Sequence, residues 1–415
     1  MLTVSVVTRP LPDSVRVELL LTGPSVPERL SADPVFFELH GASPDLVLLD
    51  GMVQAIVHFA MTRREPVHVS GRVSQRALRN LRDYQTFWHL MRPERYSVVD
   101  ITADEIVSDW WEGRRPESAV AAYSGGVDST FTLIRHHHKL AGIGSFPLDA
   151  VMLVQGFDVR LNDAAGFDRL RARLQPVISE LGLPLYIVRT NIKEIDIQDW
   201  GESFAALLVC CLNLTSHRHS IALLSSDGFD ESYIMPWGGN AISVPLLTSG
   251  RMRLVFDAPE VGRTEKIALL SGSRTARRAL RVCWEGADAG ANCGCCEKCI
   301  RTYLNFRAVG VADPECFDTP LSDDALDTVE IKNAREESFM REVARAMMGK
   351  AELSDLASKI EHQLARYDAL RGNPRISRLV VEIPSDRSAA VSTDEPAGYG
   401  LLTKTTAILK SLRLR

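Results

Sequence analysis

The feature that most constrains this chain is a short apolar run that passes through a glycine turn into a helical pattern. Ala119 to Tyr123 is apolar and short, suited to a buried parallel strand, and Phe131, Leu133 and Ile134 open a helical stretch. Between them lies Ser124-Gly125-Gly126-Val127-Asp128-Ser129. Two adjacent glycines reach backbone angles closed to other residues and expose consecutive N–H groups in a concave nest. The helix N-terminus adds partial positive charge, and the Ser124 and Ser129 hydroxyls add donors. A turn of this kind suits a pyrophosphate.

The surroundings point the same way. Residues 117 to 282 alternate apolar strands with helical stretches, which predicts an α/β fold with a doubly wound parallel sheet. Ala150 to Val154 reads as its second strand and runs into Gln155-Gly156-Phe157-Asp158. Ligands of open α/β sheets sit at strand carboxyl ends, so Gln155 and Gly156 are expected beside a bound nucleotide. Leu185 to Val188 and Ile221 to Leu224 read as further strands, Phe167 to Leu181 and Phe204 to Leu214 as helices. Cys210 and Cys211, in the second helix, read as core. The loop Met235-Pro236-Trp237-Gly238-Gly239-Asn240 fits either a flat aromatic pocket or an irregular connection. His136-His137-His138 cannot converge on one ion, because consecutive helical residues point apart, and reads as a partly solvated surface.

Eight cysteines are unevenly placed. Cys293, Cys296 and Cys299 form Cys-x-x-Cys-x-x-Cys, and Cys283 precedes them. Four thiolates around one ion make a closed zinc site, with an iron–sulfur cluster as the alternative. Cys295 is the surplus thiol. Clustering of this sort in a reducing compartment argues for metal over disulfides. A formal net charge of −5 disfavours nucleic acid as a partner. The longest apolar run, about nine residues, falls well short of the ~20 that span a bilayer, so a cytoplasmic protein without membrane contact is expected.

Residues 1 to 95 read as an N-terminal α+β domain: strands at Val15–Leu21, Phe36–Leu39 and Val67–Val69, helices at Val47–Met61 and Ser74–Trp88. His58 and His68 read there as satisfied by packing and hydrogen bonds. After the zinc-binding segment (283–310), residues 311–383 carry helical stripes at Phe339, Val343 and Met347 and from Leu353 to Tyr367, a C-terminal helical extension of packing helices. Residues 384–415 read as a flexible linker and a terminal helix.

Ser124-Gly125-Gly126-Val127-Asp128-Ser129 resembles the PP-loop of the ATP pyrophosphatase superfamily, and it lacks the lysine of a Walker A loop. Together with the cysteine pattern it resembles 7-cyano-7-deazaguanine synthases over residues 117 to 310, in particular a divergent branch associated with bacterial anti-phage defence. Arg263-Thr264-Glu265-Lys266-Ile267 resembles the family's Thr-Lys-x-Glu-Ile stretch with its charges rearranged. The family's substrate loop is absent, and Asp230-Glu231-Ser232 to Asn240 stands in its place. The resemblance implies a PP-loop/HUP-like fold binding ATP through Ser124, Gly125, Gly126, Val127, Asp128 and Ser129. It implies catalytic roles for Ser124, Asp128, Ser129 and Lys266, Mg2+ near Asp128, and Zn2+ on Cys283, Cys293, Cys296 and Cys299. The implied activity is a ligase: a 7-deazaguanine carboxylate is adenylated and passed to an amine, the amino terminus of a partner protein or ammonia. A tRNA sulfur transferase and a non-catalytic nucleotide-binding assembly subunit are the alternatives, and a homodimer stays open.

Overall fold

Apolar alternation and short apolar runs build one sheet. The computed structural model describes residues 1–108, 116–228, 235–283 and 285–371. Trp284, the Asp230-Glu231-Ser232 stretch and the expected linker and terminal helix of 384–415 lie outside the described residues. In chain order the strands are β1 (Leu2–Pro10), β2 (Ser14–Thr22), β3 (Val35–His40), β4 (Val67–Ser74), β5 (Ile101–Val107), β6 (Ala119–Ala122), β7 (Leu148–Gln155), β8 (Leu185–Thr190), β9 (Ile221–Ser225) and β10 (Arg253–Asp257). The helices are α1 (Arg29–Ala32), α2 (Asp50–Arg63), α3 (Gln75–Met91), α4 (Val127–His137), α5 (Ala164–Glu180), α6 (Ile192–Ile195), α7 (Trp200–Asn213), α8 (Arg263–Ser271), α9 (Arg274–Ala279), α10 (Glu297–Ala308), α11 (Ala334–Met347) and α12 (Ser354–Arg371). Met1–Tyr367 form one compact unit; of the second, Asp368–Arg415, the described residues are the end of α12.

Among the described residues the strands join in the order β10-β9-β6-β7-β8-β3-β2-β1-β4-β5. From β10 to β8 every pairing is parallel. β8 meets β3 antiparallel, Phe37 opposite Thr190 and His40 opposite Ile187. The strands of residues 1–95, which the sequence sets apart as a domain, therefore continue the sheet of residues 117–282. The chain is an α/β protein with a large, mostly parallel central sheet. β1, β5 and β10 carry no strong sequence signal: β1 buries Leu2 and Val4 but leaves Val7 to Pro10 exposed, so its pairing with β2 and β4 decides it.

The parallel half is covered on both faces, as its apolar strands require. Val120, Ala122 and Met152 pack into a core shared with α7, whereas Ala119, Ala121, Val151 and Leu153 pack with Leu170, Leu174 and Val177 of α5. The half built from β1 to β3 buries only one face: Val4, Val17, Leu19, Phe37 and Leu39 enter the core with α2 and α3. On its other face Glu38 is bridged to Arg16 at 2.8 Å and Arg189 at 3.5 Å. A third core gathers α8, α10, α11 and α12 around Ile267, Leu304, Met340 and Ile360. Phe339, Val343 and Met347 are buried, as the helical stripe requires.

His136 departs from the surface reading. It is buried, its Nε2 lies 3.0 Å from Asp257, and its Nδ1 accepts the Phe146 N–H at 3.0 Å. The helix turns that one ring inward, towards the end of β10. His58 is fully buried against Tyr84, Trp88 and Tyr96 and bonded to the Tyr84 hydroxyl at 2.8 Å. Burial holds it neutral, with its pKa pushed down to about 3.

Candidate functional site

Because β10, β9, β6, β7 and β8 run parallel, their carboxyl ends share one edge of the sheet, and the glycine turn lies there after β6. Gly126 caps α4 at its N-terminus. Gly125 has φ +79°, and a Cβ there would lie 2.4 Å from Leu174 Cδ2. The positive φ favours glycine, and a Cβ would also push Leu174 of α5 aside. Ser124 is exposed beside this turn. Its Oγ and N–H each lie 3.3 Å from Ser129 Oγ, and Ser129 Oγ donates to the Gly126 carbonyl at 3.2 Å. Val127 is wholly core.

A cavity of about 220 Å³ opens beside the turn. Its walls are mostly apolar, with Met152, Leu153, Trp200, Phe204 and Leu224, and its polar groups are Ser124, Ser129, Asp158, Ser225 and Arg281. An apolar pocket with a few converging polar groups is the usual form of a small-molecule site. Arg281 is tied to the turn through its backbone, whose N–H donates to the Gly125 carbonyl at 2.8 Å. Its buried guanidinium donates to Ala289 O and pairs with Asp158 at 3.3 Å, yet among the described residues Nη2 has no partner. Arg263 Nε, Arg301 Nη1 and Arg335 Nε are likewise buried and unpartnered among the described residues. Orphaned buried donors carry a desolvation penalty that an anion would relieve.

Asp128, in the first turn of α4, takes Arg263 at 2.6 Å and Lys266 at 3.1 Å. Burial would raise its pKa, but Arg263 and Lys266 outweigh that and hold it down at about 2. Lys266 Nζ also donates to Ser226 O at 2.6 Å and is almost fully buried, so it braces Asp128 against the mouth of β9 and does not line the cavity. Both Asp128 oxygens are engaged, by Arg263 and by Lys266. Gln155 is buried in loop closure: its amide donates to Arg160 O and accepts from Arg189 Nε at 3.0 Å. Gly156 lines a neighbouring hollow. The turn and the cavity thus unite Ser124, Ser129 and the Gly125-Gly126 backbone, while Asp128 and Lys266 stand behind them and Gln155 stands apart.

The four-cysteine cluster forms as the spacing predicts. The Sγ atoms of Cys283, Cys293, Cys296 and Cys299 all lie within 4.8 Å of one another. Cys296 Sγ is 3.6 Å from Cys283 Sγ, and Cys293 Sγ is 3.8 Å from Cys299 Sγ. A tetrahedron with Zn–S bonds of about 2.3 Å has edges of roughly 3.8 Å, so this set can hold zinc. The Cys296 N–H points at Cys293 Sγ at 3.3 Å. Asn292 locks the segment, accepting from Val282 N–H at 2.8 Å and donating to Leu280 O and Cys316 O at 2.9 Å. Cys295 is exposed, as the surplus thiol should be. Cys210 and Cys211 are fully buried core residues, and burial pushes both thiols well up.

Sequence reasoning missed Arg281, Arg301 and Arg335, because arginine on a helix or before a cysteine has no periodic signature. Arg335 reaches from α11 to Asp227 at 2.5 Å and stacks on Trp237 at 4.3 Å. Glu342 of the same helix accepts the Thr264 N–H at the start of α8 at 2.7 Å. Fold and site together define an α/β protein with a large, mostly parallel sheet and a four-cysteine cluster able to hold zinc. Comparison with known protein families, curated proteins and solved structures finds no match.

Proposed function

We propose that this chain uses ATP to activate a carboxylic acid and pass it to an amine. The phosphates of ATP lie over the Ser124–Ser129 turn, and the acid's carboxylate oxygen attacks the α-phosphorus. Pyrophosphate leaves, and the product is an acyl-adenylate. An amine then attacks the acyl carbon, AMP departs with its electron pair, and the nitrogen loses a proton. The acid we propose is 7-carboxy-7-deazaguanine, and the acceptor the amino terminus of a partner protein.

The observation that carries this reading is the unpartnered, buried Arg281 Nη2 on the wall of a cavity that begins at a helix N-terminus. Developing phosphate charge is what such donors stabilise, and positioning with electrostatics suffices for adenylyl transfer without a protein nucleophile. Ser124, Ser129 and the α4 N-terminus supply further donors. Asp128 holds Arg263 and Lys266 in place and is a positioning residue. Cys283, Cys293, Cys296 and Cys299 would hold Zn2+, which would supply folding energy for that segment and not bond-making chemistry. The burial of Cys210 and Cys211 favours this chemistry over sulfur transfer, which needs a reactive thiol at the nucleotide.

Pyrophosphate release from ATP, measured with and without 7-carboxy-7-deazaguanine and candidate amines, tests it. Acid-dependent release that falls about 10²-fold in Arg281→Gln and in Ser124→Ala is expected, the loss of one transition-state donor. Release that is independent of any acid, or that survives both substitutions, rejects the proposal.

A further inference from the structure

A second hollow, of about 720 Å³, adjoins the nucleotide cavity and shares Phe157, Asp158 and Trp200 with it. Its wall is aromatic and braced. Phe157 meets Trp200 edge-on with ring centroids 4.8 Å apart. Trp237 is held by Phe204 at 5.2 Å and by the stacked Arg335 at 4.3 Å. Gly201 gives it room, since a Cβ there would approach the Trp237 ring at 3.3 Å. The glycine–tryptophan loop is thus part of a pocket and not merely a connection.

The charges on this wall are unequal in their pairing. Asp158 pairs with Arg281 at 3.3 Å, and Glu194 accepts the Leu161 N–H at 3.0 Å. Lys193 lies with its Nζ 4.2 Å over the Trp200 ring and donates one bond to Phe157 O at 2.8 Å. Among the described residues neither Lys193 nor Arg160 forms an ion pair, although both line the hollow. Burial lowers the pKa of Lys193 against the nearby Asp158, which raises it, and an anion bonded at Nζ would further stabilise its charge.

We infer that this hollow is the site of the acid substrate: it takes a flat aromatic carboxylate, its ring against Phe157, Trp200 and Trp237 and its carboxylate on Lys193 Nζ. Flat rings gain offset or edge contacts with such a wall, and a charge-assisted bond fixes the acid end. The shared wall places the acid beside the nucleotide cavity, which is what transfer between the two requires. This assignment rests on the adenylation reading for its chemistry but not for its binding test.

The test is equilibrium binding to the full chain without ATP, read by tryptophan fluorescence and calorimetry. The probes are 7-carboxy-7-deazaguanine, indole-3-carboxylate, their primary amides and cyclohexanecarboxylate. Both flat acids should bind at least about tenfold more tightly than their amides or the non-planar acid. Lys193→Met should erase the preference for acid over amide, and Lys193→Arg should retain part of it. Trp237→Leu should weaken acid and amide alike, with thermal melts confirming that each variant is folded. Equal affinity for acid and amide, or a Lys193→Met protein that binds as the wild type does, overturns the assignment. Acid-dependent pyrophosphate release with an unchanged KM for the acid in both variants also overturns it, while adenylation stands. Binding lost in Lys193→Met without any pyrophosphate release keeps the site and removes adenylation.

Discussion

Asp128 and Glu38 are carboxylates in the two halves of one sheet, each held between cations. The partners of Asp128, Arg263 and Lys266, have side chains 9% and 1% exposed. Those of Glu38, Arg16 and Arg189, are 34% and 37% exposed. Burial works against ionisation of both, and the cations lower both pKa values. Solvent screens the cations around Glu38, itself 5% exposed against 18% for Asp128, and hardly reaches those around Asp128, so one ion cluster is enclosed on its cation side and the other opens to water there. The difference follows from strand direction. Parallel strands gather their carboxyl ends and the following helix N-termini on one edge, where charges converge and are enclosed. The antiparallel strands β1 to β3 reverse at each turn and leave a polar face open.

The largest way to break the contrast is through the four-cysteine cluster, whose helix α10 packs against α8 and so supports Arg263 and Lys266. Cys296→Ser should abolish zinc retention, measured by metal analysis. Structural zinc contributes on the order of 10 kcal/mol of binding free energy in small domains, so unfolding of that region should follow. Hydrogen exchange should rise in α8, α10 and α11 and stay low in β1 to β3. Equal loss of protection in both regions would erase that difference between the two halves.

Gly156→Ala should come next. Gly156 has φ +104°, and a Cβ would lie 1.8 Å from Thr190 O on the neighbouring strand. Backbone strain with overpacking puts the loss at about 2–4 kcal/mol, read by denaturant melts. Asp128→Asn should lower stability by about 2 kcal/mol. The sign is that of a depressed carboxylate: wild-type stability from this group is complete above about pH 4 and fades as pH falls towards about 2. The variant should lack that part of the acid transition. A variant with the wild-type pH profile would mean that Asp128 is not its source. Glu38→Gln should have the smallest effect, under about 1 kcal/mol and shrinking with added salt.

The glycine turn, the strands after it and the four cysteines were legible because each depends on local chemistry: φ above zero at Gly125, short apolar runs, thiol spacing. Gln155 was misplaced by the same local logic. It follows a strand at the right edge, but its side chain bonds within loop 156–161 instead of facing the cavity. Lys266 was legible as a residue near the turn but not as the brace of Asp128, because Asp128 lies 138 residues earlier in the chain. Arg281 and Arg335 gave no signal, since what marks them is an unpartnered nitrogen in one case and a stack on Trp237 in the other.

The sequence by itself determined an α/β chain with a glycine turn at a helix start and a four-thiol cluster, because backbone permissiveness, apolar period and ligand spacing act over a few residues. Only the tertiary structure decided that residues 1–95 extend the same sheet through β3 and β8. The pairing of Asp128 with Arg263 and Lys266, and the paired cavities that share Trp200, were likewise fixed there. Those features depend on pairings between segments far apart in the chain, and their energies exist only once the intervening chain has folded to bring them into contact.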